Sequence, residues 1–161
     1  MPGPDAARRL APVPVNPEIQ GRQYPPTAPY LVGREKVREF ARAVQAMHPE
    51  HLDVEAARAA GHADIIAPPT FPIVIQQLTW NQLLDDPAAG IVLERIVHGD
   101  QRFTADRAIV AGDELTGQLT VTRVRSLGGN DMVTCETRVT DAAGEHVVTA
   151  TSSLVVAGEA A

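Results

Sequence analysis

The sequence predicts a single α+β domain in which an antiparallel sheet wraps around a long central helix. Three observations predict it. Residues 70–84 are apolar over most of a helix's circumference. Period-two segments follow from about residue 91 to 156. Turns rich in glycine, asparagine and aspartate separate those segments. A helix that is apolar all round is buried inside a fold, and apolar–polar alternation marks strands with one buried face. A length of 161 residues suits one domain with a core of useful size.

The elements follow in chain order. Residues 1–28 carry Pro2, Pro4, Pro12, Pro14, Pro17, Pro25 and Pro26, a density that opposes helix and sheet alike, so a mobile or extended arm is expected there. The domain is expected over residues 29–157, with a short tail at 158–161. Residues 34–47 read as an amphipathic helix, with Val37, Phe40, Ala41, Val44 and Met47 on one face and Arg34, Glu35, Arg38, Glu39 and Arg42 on the other. His48-Pro49 ends it, because a residue before proline is pushed out of helical geometry. Asp53 is placed to cap a short helix over 54–60, and Gly61 to stop it. Thr70 can cap the central helix, with Pro72 in its first turn and Asp85-Asp86-Pro87 as its breaker. Strands are expected over 91–98, 101–107, 114–124, 132–140 and 146–156.

Composition narrows the function. A net charge of −6 and a pI near 5.3 argue against a nucleic-acid partner, which needs a basic face, and weakly against anionic membranes. Apolar runs such as Ile73-Val74-Ile75 are far too short to span a bilayer. The first eleven residues have no continuous apolar stretch of the kind a secretory signal needs. Cys135 is single and sits in an alternating strand segment, so it reads as a small core residue. A cytoplasmic location is expected.

One loop stands out: His48-Pro49-Glu50-His51-Leu52-Asp53 places two of the five histidines beside two carboxylates. Imidazole and carboxylate together are the usual ingredients of acid–base catalysis, since environment can set their pKa values apart. The alternative is a solvated turn between helices. The spacing is not that of a helical metal-binding histidine pair, and no cysteine cluster accompanies it, so no metal is expected.

In context this loop resembles that of the MaoC-like dehydratases and R-specific enoyl hydratases, which read Asp-x-Asn-Pro-hydrophobic-His between a helix and a short helix. On this chain the pattern's histidine falls on His51, its proline on Pro49, its asparagine on His48, and its aspartate on Ala46. The turn that opens the family's central helix falls on Ala67-Pro68-Pro69-Thr70. The chain is more closely similar to the non-catalytic subunits of actinobacterial R-specific hydroxyacyl-ACP dehydratases of type II fatty acid synthesis. Val32-Gly33-Arg34-Glu35, His48-Pro49, Thr70-Phe71 and Asp100-Gln101-Arg102-Phe103 carry that similarity, which spans about residues 21–156.

The resemblance implies a hot-dog fold and a chemistry that needs no cofactor. In the family, aspartate and histidine share the acid–base work, and backbone N–H groups at the start of the central helix polarise the thioester carbonyl. Here Ala46 cannot exchange a proton, and Pro68 and Pro69 have no N–H, which leaves Thr70 and Phe71 as donors. Glu50 and Asp53 lie near but do not match the family's aspartate. His51 is the candidate catalytic residue, or a remnant that shapes the pocket. His48, Pro49, Pro68 and Pro69 are expected to shape the loops. His62 and His98 are read as a surface residue and a strand residue, and His146 as solvated. The acyl chain is expected along the central helix and a dimer interface, against Thr70, Phe71, Val74, Ile75, Leu78 and Trp80, although helical spacing alone cannot separate such a lining from core. The implied role is an acyl-chain-binding subunit of a heteromeric dehydratase, partnered by a hot-dog chain with the complete motif and acting on thioesters of acyl carrier protein or coenzyme A. The alternatives are a self-sufficient homodimeric hydratase, dehydratase or thioesterase using His51, and a non-enzymatic acyl-thioester binder.

Overall fold

A computed structural model describes residues 14–158. Its elements are β1 (Tyr30–Leu31), α1 (Arg34–Ala43), α2 (Val54–Ala59), α3 (Ile73–Leu84), β2 (Ile96–Ala105), β3 (Glu114–Leu127), β4 (Asn130–Thr140) and β5 (His146–Val156), with single 3-10 turns at Pro17–Ile19, Pro49–His51 and Leu93–Arg95. The five strands form one sheet in the order β1-β3-β4-β5-β2, every neighbouring pair antiparallel. The sheet curls around α3, which is the hot-dog arrangement.

Strand alternation decides which face meets the helix. On β5, Val148, Ala150, Ser152, Leu154 and Val156 are buried, while Thr149, Thr151, Ser153 and Val155 between them are only half-buried. Two apolar clusters result. One joins the C-terminal half of α3 (Trp80, Leu83) to Leu119, Val121, Val133 and Leu154. The other joins its N-terminal end (Phe71, Ile75) to α1, α2 and the strand ends at Leu115, Val139 and Val148. Between them runs a buried polar belt: Thr79 Oγ1 donates to the Gln76 carbonyl at 2.7 Å and lies 2.9 Å from Thr137 Oγ1, and Gln76 Nε2 donates to Ser152 Oγ at 3.2 Å. The helix sits unusually close to β3 here. A Cβ on Gly117 would lie 2.9 Å from a methyl of Ile75 and 3.0 Å from one of Thr79, so only glycine admits this approach.

Several expectations are corrected. Of the mobile and extended alternatives for the N-terminal stretch, its described part takes the extended one and packs on the domain: Val15, Ile19 and Tyr24 are buried in the first cluster. Main-chain bonds from Tyr24 to Leu119, Thr27 to Gly117 and Val121 to Arg22 run it along the outer edge of β3. Pro25 and Pro26 are exposed there, where a missing N–H blunts a sheet edge and breaks no ladder. The rest of that expected arm, residues 1–13, and tail residues 159–161 lie outside the described residues. The first helix ends at Ala43, not 47, because Gln45 takes a left-handed conformation (φ 58°) that reverses the chain. Val44 and Met47 are consequently 45% and 58% exposed. Residues 70–72 form a turn ahead of α3, so Thr70 does not cap it. The expected strands 91–98 and 101–107 are one strand, β2, joined through an irregularity between His98 and Asp100, while Leu93–Arg95 forms a turn. β2 stands at the far edge of the sheet with no strand beyond it among the described residues.

Three carboxylates tie loops to this frame and make its stability depend on acid. Hydrogen bonds from the Tyr24 hydroxyl to Asp86, from the Arg34 guanidinium to Asp64, and from Arg107 to Asp141 hold these groups below the usual carboxylate range. A depressed folded-state pKa contributes stability in full above the unfolded value, about 4, and loses it as pH falls through the folded value. Melting temperature should therefore be flat from pH 7 to 5 and fall below pH about 4. Asp86→Asn should flatten part of that fall in a series of thermal melts.

Candidate active site

The loop between α1 and α2 is built by its own backbone. His48 is extended (φ −64°, ψ 137°), as its place before proline requires, and Pro49–His51 then makes one 3-10 turn. Asp53 caps α2, its Oδ1 accepting the Ala56 N–H at 2.7 Å, so that carboxylate is occupied and exposed. Arg38 donates from Nε to the Leu52 carbonyl at 2.8 Å and pins the loop to α1.

His51 is the best-fixed side chain of the group, only 9% exposed. Its Nδ1 lies 2.8 Å from the Ile66 carbonyl oxygen, and the Ile66 N–H donates to the Glu50 carbonyl at 3.0 Å. A carbonyl only accepts, so Nδ1 carries the proton and Nε2 is left to hold or release one. This clamp comes from Ile66, which itself bridges to Val110 of the loop before β3.

His51 opens on a cavity of about 620 Å³. One wall is His48, Glu50 and His51; a second is Pro68, Pro69 and Pro72; the third is Phe103, Ile109 and Val148, with residues 105–108 along the rim. The lining is mostly apolar apart from this one polar wall and the rim. Glu50 sits between two imidazoles, Oε1 3.8 Å from His48 Nδ1 and Oε2 3.7 Å from His62 Nε2. On the rim, Arg107 is committed to Asp113 at 2.7 Å and Asp141 at 3.2 Å, which raises its pKa further. Asp106 holds His146 Nδ1 at 2.7 Å, and His146 Nε2 lies 2.8 Å from Thr149 Oγ1, so His146 is not solvated as expected. His98 is on β2, its ring edge-on to Trp80 with centroids 5.1 Å apart.

The structure brings together His48, Pro49's turn, Glu50, His51, Pro68 and Pro69. It does not bring the expected acyl-chain lining to this cavity. Phe71 and Ile75 are fully buried in the core, Phe71 edge-on to Phe40 with centroids 5.3 Å apart. Val74 packs beside them, Trp80 belongs to the other cluster, and Leu78 and Thr70 are exposed. Of the two expected carbonyl donors, Phe71 spends its N–H on the Pro68 carbonyl at 2.9 Å. Ala46, half-buried, gives its N–H to the Ala41 carbonyl at 2.8 Å in the turn that ends α1, and it is not on the cavity wall. Phe103, Ile109 and Val148 were missed, since only the fold brings these two strands and the loop before β3 to one place. Among the described residues no three His, Cys, Asp or Glu side chains converge as metal ligands, and no helix is long and apolar enough to cross a membrane.

Comparison with known proteins places this geometry. Residues 18–150 match the family described as FAS1-like, dehydratase domain region. A UPF0336 protein of Leifsonia xyli subsp. xyli is 66% identical over 147 residues, 91% of this chain and 99% of that protein. A UPF0336 protein of Streptomyces coelicolor is 51% identical over 137 residues, 85% and 91% of the two chains. A chain of the C-terminally truncated HadBC (3R-hydroxyacyl-ACP dehydratase) complex from Mycobacterium tuberculosis is similar at TM-score 0.76 and 33% identity, over 88% of this chain and 99% of that one. A MaoC-like dehydratase gives TM-score 0.77 and 37% identity over 86% of this chain and 42% of that one. The chain belongs to the FAS1-like dehydratase-region family, the MaoC-like hot-dog proteins.

Proposed function

We propose that this chain is the acyl-chain-binding subunit of a heteromeric R-specific 3-hydroxyacyl thioester dehydratase, acting on thioesters of acyl carrier protein or coenzyme A. The observation that carries the reading is an imidazole fixed through Nδ1 on the wall of a largely apolar cavity, with alanine at the position where the family resemblance expects the partner aspartate. Dehydration removes a proton alpha to the thioester carbonyl and expels the beta hydroxyl as water, leaving a carbon–carbon double bond. One group must take the first proton and one must protonate the leaving oxygen. In this reading a sister subunit supplies the complete pair. The present chain supplies cavity wall, with Pro68, Pro69 and Pro72 giving a stiff apolar surface that offers no N–H to the carbonyl. The likeness to a chain of a two-component 3R-hydroxyacyl-ACP dehydratase supports a hot-dog partner. The open edge of β2, with exposed Leu93 and Val97 at its start, is the surface proposed for it.

Co-expression with a hot-dog chain carrying the full Asp-x-Asn-Pro-x-His loop tests this. The two should co-purify, a mass measurement should give a 1:1 complex with the 17.2 kDa chain, and enoyl-CoA hydration should require both. Separate purification with activity entirely in the other chain would sink the proposal. One observation favours a second reading, a self-sufficient homodimer: Glu50 lines the same cavity as His51. That reading requires Glu50→Gln to abolish turnover by the chain alone.

A further inference from the structure

Beside the His51 cavity, a second set of side chains has the arrangement of an activated nucleophile. Asp106 Oδ2 lies 2.7 Å from His146 Nδ1, and His146 Nε2 lies 2.8 Å from Thr149 Oγ1. An ionised carboxylate only accepts, so Nδ1 carries the imidazole proton and Nε2 accepts from the threonine hydroxyl. A hydroxyl, a base and a group that orients the base, each within hydrogen-bond reach of the next, are the constellation that makes a hydroxyl nucleophilic.

Regular strand geometry would keep these groups apart, because residues three apart on a strand face opposite sides of the sheet. The β4–β5 register shifts here: Val139 pairs with Val148 but Thr140 pairs with His146, so Val147 is an extra residue. Val147 and Val148 are accordingly both buried, and His146 and Thr149 on either side of them come to the same, outer face. Such bulges re-aim side chains and recur next to active sites. Arg138 on β4 and Thr104 on β2 pair directly with Thr149, and directly paired residues share a face. Val148 faces the other way, onto the His51 cavity, and Asp106 is the one residue that both arrangements share.

We propose that Asp106, His146 and Thr149 form a second, esterolytic site, in which Thr149 takes up a short acyl group from a carboxylic ester. Thr149 Oγ1 bonds to the ester carbonyl carbon as its proton passes to His146 Nε2. Arg138 answers the negative charge that develops on the carbonyl oxygen. The bond from that carbon to the alcohol oxygen then breaks, and the alcohol leaves with the proton from His146. Water attacks the acyl-threonine, giving a proton to His146, which returns it to Thr149 as the acid departs. Asp106 is a positioning residue that fixes the imidazole tautomer without touching the ester. The outer face around Thr149 carries the polar Thr104, Thr151 and Arg138, which suits an acetyl-sized group better than a long chain. The proposal does not rest on the acyl-thioester reading of the His51 cavity.

The full chain would be incubated with p-nitrophenyl acetate, following release of p-nitrophenolate, intact mass and a peptide map together. The expected result is release accompanied by an acetyl group on Thr149. Thr149→Val should abolish that adduct, and His146→Ala should slow its formation about a hundredfold or more. Asp106→Asn should lower kcat about tenfold or more with KM unchanged, and Asp106→Glu should restore it. Release no faster in the unaltered chain than in Thr149→Val would overturn the site, as would acetylation found only at other residues. Asp106→Asn with unchanged kcat would overturn the role of Asp106.

Discussion

Phe71→Ala should lower the unfolding free energy by about 3–5 kcal/mol, the cost of emptying a fully buried aromatic site. Phe71 has no exposed surface and meets Phe40 edge-on between α1 and the start of α3. Urea unfolding of the variant should show a lower midpoint at an unchanged slope. Acyl-CoA affinity of the fraction still folded should be unaltered. That contrast decides between core and substrate lining, the two roles helical spacing left open for this residue. A variant of native stability with weakened acyl binding would return Phe71 to the binding site.

His51→Ala, made in the assembled dehydratase, should cost less than about tenfold in kcat. Removing a group that moves a proton in the transition state costs about 10²–10⁴, so the two outcomes are well separated. The substitution breaks the bond to the Ile66 carbonyl, a loss of about 1–3 kcal/mol where the acceptor stays buried. Thermal melts of the complex would show that loss whether or not His51 is catalytic. A fall of a hundredfold or more, with the complex intact, would make His51 an acid–base group and divide the site between the two subunits.

Much of the fold was legible because side-chain pattern specifies it. β5 runs over His146–Val156, the span its alternation marks, and the apolarity of α3 marked the face buried through Ile75, Trp80 and Leu83, although Gln77, Leu78 and Asn81 on its other side are exposed. What escaped depends on backbone or on distant chain. Nothing in Gln45 advertises a left-handed residue, so the apolar Val44 and Met47 extended the first helix on paper past its real end. Ile91-Val92-Leu93 has a strand's composition, yet Val92 and Leu93 are exposed and the chain turns there. Pro25 and Pro26 argued against a sheet although they sit on its outer edge. In the site, the His48–His51 loop was readable because its residues are contiguous. The cavity's far wall was not, since Phe103, Ile109 and Val148 come from two strands and a loop that only the register of β2 on β5 brings together.

The role proposed for this chain is that of a dehydratase subunit that does not dehydrate alone. The most direct measurement is hydration of crotonyl-CoA and a longer enoyl-CoA by the purified chain, followed by loss of the enoyl absorbance. No rate above background is expected, because no carboxylate stands where the family resemblance expects the partner of His51. Robust turnover by the chain alone, abolished by His51→Ala, would contradict it and make the protein a complete enzyme.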